Sequence, residues 1–259
     1  MSVGIECNLQ VVVLSNNMTQ QDFEDGQIIL INKPLRWTSF DVVNKIRYLL
    51  RNQFNLKKIK VGHAGTLDPL ATGLLVICTG RMTKQIEALQ ASSKEYEATF
   101  MLGATTPSYD RETEIDCTYS IDGITKEKVE EVLKTFEGEQ DQIPPLFSAK
   151  QIDGQRAYVA ARKGKDIELK PSRITIDKIE LVDCSLPKVM VRIKCSKGTY
   201  IRALARDLGQ RLGSGAYLHD LCRTASGDFR IENAIDIMEF EKNIKNMKPI
   251  AENGVETLS

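Results

Sequence analysis

VMVRIKCSKGTYIRALARDLGQRLGSG, residues 189–215, changes its hydrophobic period partway along. Val191, Ile193 and Cys195 alternate with Met190, Arg192 and Lys194, the period of two expected of a strand with one buried face. Past Lys197-Gly198 the apolar residues Ile201, Leu204, Ala205, Leu208 and Leu212 recur at helical spacing, and Gly213 supplies the stop. A strand with a polar outer face calls for antiparallel neighbours rather than a doubly covered parallel sheet.

The same grammar extends in both directions. YEATFMLGATT (96–106) alternates Tyr96, Ala98, Phe100 and Leu102 inward, a second half-buried strand. ITKEKVEEVLKTFEG (124–138) is an amphipathic helix with Val129, Val132, Leu133 and Phe136 inward and Gly138 as its stop. Nearer the start, residues 28–32 form a short apolar strand, Lys33-Pro34 a turn, and Val42, Val43, Ile46, Leu49 and Leu50 a helix capped by Thr38 or Ser39. Residues 144–173 are irregular, with turn signals at both ends and a helical stretch around Tyr158. Strands interleaved irregularly with helices define an α+β class: a mainly antiparallel sheet flanked by helices, in one compact domain.

With 259 residues and 42% hydrophobic content, the chain has enough apolar material for a real core. No apolar run reaches membrane-spanning length. Residues 1–26 hold Glu6, Asp22, Glu24 and Asp25 but no Lys or Arg, which suits neither a signal nor a transit peptide, so a cytoplasmic protein is expected. Six scattered cysteines without a CxxC pair read as reduced, mostly buried thiols, and two distant histidines argue against a metal site.

The zero formal charge conceals segregation. Between Asp41 and Asp68 there is no acid, while Lys45, Arg47, Arg51, Lys57, Lys58 and Lys60 fall inside. From Asp110 to Asp141 eleven acids face four bases, a net of −7. Bases again dominate over 144–173, and Arg192 to Arg206 carries five of them with no acid. Each run is accounted for by a solvated helix face; three converging on one surface would form a phosphate-binding face.

GHAGTLDPLATG (62–73) holds a single acid, Asp68, among three glycines. Asp-Pro is a common helix start, with Asp as N-cap and Pro at the first helical position, so a capped helix over DPLATGLL is one reading. Glycines ahead of the acid also let another molecule approach the backbone, which is the functional one.

That stretch closely resembles the signature of the TruB family of pseudouridine synthases. KPLRWTSFDVVNKIR, TKQIEALQASSKEYEATFMLG, IPPLFSAKQIDGQRAYVAARKG and CSKGTYIRALARDLGQRLGSGAYLHDLCRTASG are similar to four further family blocks, in family order, over about residues 28–231. The resemblance implies a pseudouridine-synthase catalytic domain over 27–259 with an RNA-gripping loop at about 144–173. Residues 1–26 then form an extension without a counterpart. Only about 28 residues follow Ile231, so no C-terminal RNA-binding PUA domain is expected, which argues against the guide-RNA branch of the family.

It also implies the chemistry: uridine in the tRNA T-loop becomes pseudouridine as the N–C glycosidic bond breaks, the uracil turns and a bond re-forms through C5. Asp68 matches the essential aspartate, a nucleophile on the ribose or on the uracil ring. Tyr96 matches the tyrosine that lies against the uracil and takes its proton. Arg202 matches the arginine that pairs with the aspartate. His63 matches a histidine near the position the flipped base leaves, and Tyr200 and Leu221 match walls of the uracil pocket. Lys84 matches a lysine better read as a structural or phosphate contact. Read without the resemblance, His63 is equally a hydrogen-bonded core histidine and Arg202 a surface helix cation. A base inside the folded T-arm has to be flipped out, at a few kcal/mol. No cofactor or metal is expected; the partner is tRNA through its T-arm, without membrane or guide RNA, and the protein is expected to be a monomer. The alternative is a tRNA-binding chaperone with isomerisation secondary. DRETEID (110–116) fits the family's aspartate-glycine loop only loosely.

Overall fold

In the computed structural model, which describes residues 15, 17–146, 151–152, 155–156 and 169–247, the chain begins with α1 (Gln20–Asp25), β1 (Ile28–Lys33), α2 (Ser39–Gln53), β2 (Val61–His63) and β3 (Ala71–Thr79). α3 (Ile86–Ala91), β4 (Lys94–Leu102), β5 (Ala104–Thr105), β6 (Cys117–Thr118), α4 (Lys126–Lys134) and β7 (Gly138–Gln142) follow. After β8 (Gln151–Ile152) and β9 (Gln155–Arg156) come β10 (Ser172–Ser185), β11 (Lys188–Cys195), α5 (Ile201–Leu212), β12 (Ala216–Ser226), β13 (Phe229–Arg230) and α6 (Ile237–Asn246). The chain packs as two units, Met1–Gln90 with Asp228–Ser259, and Ala91–Gly227. The expected helical stretch around Tyr158, and most of the loop at 144–173, lie outside the described residues.

The first unit is built on β1 and β3, paired antiparallel from Ile28↔Cys78 to Lys33↔Gly73, with β2 against the far end of β3. Both strands are apolar on consecutive residues because both faces are covered. Ile29, Ile31, Leu75 and Ile77 join Val42, Val43, Ile46 and Leu50 of α2 and Phe240 and Ile244 of α6. Ile28, Leu30, Leu74, Val76 and Cys78 meet Leu89 and Phe229 on the opposite face. α2 starts where expected: Thr38 caps it, and Asp41 bonds back to the Thr38 amide to complete a capping box. α1, within the segment expected to be an unplaced extension, sends Phe23 fully into this core, 5.6 Å from the Phe54 ring.

The second unit is an antiparallel array in the order β12-β4-β11-β10-β7. β4 and β11 bury alternate residues as their sequences require: Tyr96, Ala98, Phe100 and Leu102 on one, Val189, Val191, Ile193 and Cys195 on the other. α5 packs against β12 and α4 against β10. α4 ends at Lys134, four residues before the expected glycine stop, where the Thr135 hydroxyl bonds back to the Val132 carbonyl at 2.6 Å; Gly138 instead opens β7. Leu212, expected in the core, is half-buried.

The thiols need a correction. Among the described cysteines only Cys78 and Cys195 are buried, with burial pushing both thiols up to about 12; Cys184 and Cys222 are half-buried and Cys117 is exposed. Two strands place their cysteines in the core, whereas Cys117 falls on the short β6, where both residues face solvent.

Candidate active site

His63, Asp68 and Lys84 belong to the first unit, and Tyr96, Tyr200, Arg202 and Leu221 to the second. Each group is built differently.

Asp68 sits in the connection between β2 and β3, and no helix follows it. Pro69 and Leu70 make a turn in which the Ala71 amide donates to the Asp68 carbonyl (3.0 Å), and the chain continues as β3. The helix-cap reading fails because ATGLLVICT is claimed by the two-faced sheet core, and tertiary burial overrides the local Asp-Pro signal. Gly65, at φ 113°, takes the backbone through a conformation that side chains rarely adopt.

The turn is braced from the segment that precedes it. The Ser39 hydroxyl accepts from the Leu67 amide (2.8 Å) and donates to the Leu67 carbonyl (3.1 Å), both buried. The Arg36 amide donates to the Pro69 carbonyl (2.8 Å). The backbone is therefore gripped on either side of Asp68. The 34–38 turn is itself tied by the fully buried Lys33, whose ammonium donates to the carbonyls of Pro34 (3.0 Å) and Trp37 (2.6 Å). His63 ends β2 opposite Ile77, half-buried, with the next amide, Ala64, bonded to Val76 (2.8 Å). Lys84 is exposed on the 3₁₀ turn Gly80–Gln85.

In the second unit Tyr96 is buried on β4 between Ile193 of β11 and Arg223 of β12. Leu221 lies half-buried on β12 opposite Ala98, between two register shifts, Leu218/Asp220 and Arg223/Ala225. Such bulges re-aim the side chains they bracket. Lys94, two residues before Tyr96 on the same face, is 5% exposed and bonds the Ser92 carbonyl at 2.6 Å. Burial, with the Arg223 guanidinium adding to it, lowers its ammonium to about 8.

Tyr200 is the N-cap residue of α5, and Arg202 lies on the first turn. Arg202 is no surface cation: its side chain is 4% exposed and its Nε lies 3.6 Å from Oδ2 of Asp110, itself 7% exposed. A second guanidinium nitrogen donates to the Ser108 carbonyl at 3.3 Å. Asp110 is fixed in turn by the Ser108 hydroxyl (2.6 Å) and the Glu112 amide (2.9 Å), while Thr106 holds the Asp110 carbonyl (2.7 Å). Asp110 is the residue that sequence reasoning missed. It opens the acidic run read as solvated, and the one signal available was the loose likeness of DRETEID to the family's aspartate loop.

The basic runs differ in how their charges are engaged. Arg192 pairs with Glu97, Lys194 with Glu95, Arg202 with Asp110 and Arg206 with Asp207, so four of the five bases in the 192–206 run are engaged within their own unit, while Lys197 is exposed. Lys57, Lys58 and Lys60 are exposed. Among the described residues no group of His, Cys, Asp or Glu could hold a metal ion, and no helix is long and apolar enough to cross a membrane.

Residues 51–201 match the family described as TruB family pseudouridylate synthase, N-terminal domain. A protein of Phocaeicola vulgatus called tRNA pseudouridine synthase B is 58% identical over 219 residues, 85% of this chain and 93% of its own length. The protein of that name from Flavobacterium johnsoniae is 52% identical over 229 residues, 88% of this chain and all of the relative. Among solved structures, a Cbf5–Nop10–Gar1 complex superposes with a TM-score of 0.66 at 26% identity, over 93% of this chain and 67% of the matched one.

Proposed function

This chain belongs to the TruB family of pseudouridylate synthases, and from that premise we propose that it isomerises uridine to pseudouridine in the T-loop of tRNA. The observation that carries the reading is identity above 50% along nearly the whole length of relatives named for that activity. Those relatives are far nearer in sequence than the matched chain of the Cbf5–Nop10–Gar1 complex at 26%, which favours tRNA as a direct substrate, recognised without a guide RNA. We place the work in a monomeric, cytoplasmic protein whose residues 27–259 act as one catalytic domain.

The reaction is an isomerisation, so nothing is oxidised or reduced. The N1–C1′ bond breaks, the uracil turns, C5 bonds to C1′, the proton leaves C5, and N1 gains one. In this proposal Asp68 is the nucleophile, on the ribose or on the uracil ring, splitting one hard rearrangement into two easier steps. A nucleophile has to be aimed, and the bonds on Leu67 and Pro69 hold the backbone on either side of it. Tyr96 takes the C5 proton. Arg202 supplies fixed positive charge for the carboxylate, held in orientation by Asp110 and Ser108. Tyr200 and Leu221 line the uracil, His63 stands near the vacated place in the RNA, and Lys84 is a structural or phosphate contact.

The test is incubation with an unmodified T-arm hairpin followed by chemical mapping of pseudouridine. The native chain should modify the T-loop uridine, and Asp68→Asn should bind the hairpin with unchanged affinity and form none. Binding without modification by the native chain would replace the enzyme with an RNA-remodelling protein. Turnover by Asp68→Asn would overturn the role of the carboxylate.

A further inference from the structure

α5 has an unusual start. Tyr200 occupies its N-cap position, and the cap makes no side-chain hydrogen bond to the first turn. The usual Ser, Thr, Asp or Asn is absent, so the local sequence leaves the entry to this helix under-specified. Its other end is conventional, with Gly213 in the left-handed region.

What fixes the entry comes from a distant part of the chain. Gln142, the last residue of β7, is 3% exposed, and its carboxamide meets the Tyr200 backbone twice. The Tyr200 amide donates to Gln142 Oε1 at 2.8 Å, and Gln142 Nε2 donates to the Tyr200 carbonyl at 3.2 Å. The amide orientation is dictated by these partners, because a backbone N–H only donates and a C=O only accepts. A side chain thereby imitates one rung of a β-ladder at a helix start. The Tyr200 carbonyl also accepts the first helical bond, from Leu204 at 3.1 Å. One residue after Gln142, the Ile143 carbonyl accepts from Arg206 of the same helix at 3.1 Å. The last residue of β7 and the one after it therefore hold the N-cap and the second turn of α5.

The place of this clamp matters. Gln142 is the rung partner of Ser172, so residues 143–171 leave β7 and re-enter β10 there. That span contains the loop expected to grip RNA, while the helix end carries Tyr200 and Arg202.

We infer that Gln142 is a positioning residue for the isomerisation: its carboxamide sets the backbone at Tyr200, and so the placement of Tyr200 and Arg202, from the root of the RNA-gripping segment. This rests on the proposed function. Misplacement of a reacting group by an ångström costs about 100-fold in rate, so the effect belongs in turnover and not in RNA affinity.

Three variants test it in single-turnover assays on the T-arm hairpin, with binding measured in parallel. Gln142→Met keeps the volume and loses both bonds; it should lower turnover about 10- to 100-fold with the dissociation constant within about threefold of native. Gln142→Asn retains the groups but falls a methylene short, and should not rescue. Gln142→Glu still accepts from the Tyr200 amide but sets a carboxylate oxygen against the Tyr200 carbonyl. Burial raises the pKa of the introduced carboxyl, and once protonated it donates as the amide did, so turnover relative to native should climb about fivefold or more between pH 8 and pH 5.5. A merely structural defect has no reason to recover on acidification. Hydrogen exchange at the Tyr200 amide, faster by about tenfold or more in Gln142→Met, reads the clamp independently of activity. Native-like turnover or native-like exchange in Gln142→Met overturns the inference, as does a flat pH ratio for Gln142→Glu. A native chain that forms no pseudouridine while Gln142→Met shows fast exchange would instead overturn the proposed function and leave the clamp standing.

Discussion

At the scale of single residues, burial is what the sequence conceals. Asp110 and Arg202 each stand in a stretch whose charges read as solvated, yet both side chains are under 10% exposed and face each other. An acid in an acidic run looks the same whether it points out or in; only the fold turns this one inward. Removing one partner of a buried ion pair leaves the other charge stranded, at about 3–5 kcal/mol. Asp110→Asn should therefore lower unfolding free energy by about that amount in denaturant titrations, and reduce pseudouridine formation more than tenfold at temperatures where the fold persists. Lys94 makes the opposite kind of prediction. Its ammonium titrates near 8 in the folded chain against an ordinary 10.5, so the unfolded chain binds more protons between those values and stability should rise with pH across that window. Below about 8 both states are protonated and the cost of the buried charge is fully present. Lys94→Met should abolish the rise, which thermal melts from pH 7 to 10 would reveal.

Elements with a regular hydrophobic period were legible, and the reasons are physical. β4 and β11 alternate because one face is covered; α2 and its Thr38 cap are written in local chemistry. β3 was not legible, because Asp-Pro announces a helix and only the sheet on which ATGLLVICT is buried decides otherwise. The start of α5 was hidden for a related reason: its cap belongs to Gln142, 58 residues away. The packing of α5 was hidden too. A Cβ on Gly209 would lie 2.2 Å from the Ala216 backbone nitrogen, so the helix meets the start of β12 with no room for a methyl group. Gly209→Ala, which raises helix propensity, should nevertheless destabilise the protein by about 1–3 kcal/mol, measured by denaturant unfolding. Unchanged or increased stability would mean that helix and strand separate without cost.

For the whole molecule, the order of motifs along the chain carried the family resemblance, while charge segregation did not tell which bases are ion-paired. Four of the five bases in the 192–206 run are engaged in ion pairs, whereas Lys57, Lys58 and Lys60 stand exposed. Replacing those three lysines with Gln should weaken tRNA binding and flatten the logarithmic salt dependence by about 0.7–0.9 for each phosphate no longer neutralised. Filter binding across a salt series would measure it, and an unchanged slope would take this run off the RNA-facing surface. The protein can be followed by its own fluorescence. Its single tryptophan, Trp37, packs against the core, and its carbonyl is held by Lys33 in the turn that leads to Ser39 and thence to the Asp68 loop. Intrinsic fluorescence here is not an average over the molecule. It is an optical gauge in the segment that braces the Asp68 backbone, so, on the proposed function, emission followed in stopped flow should change as RNA binds, without any added dye.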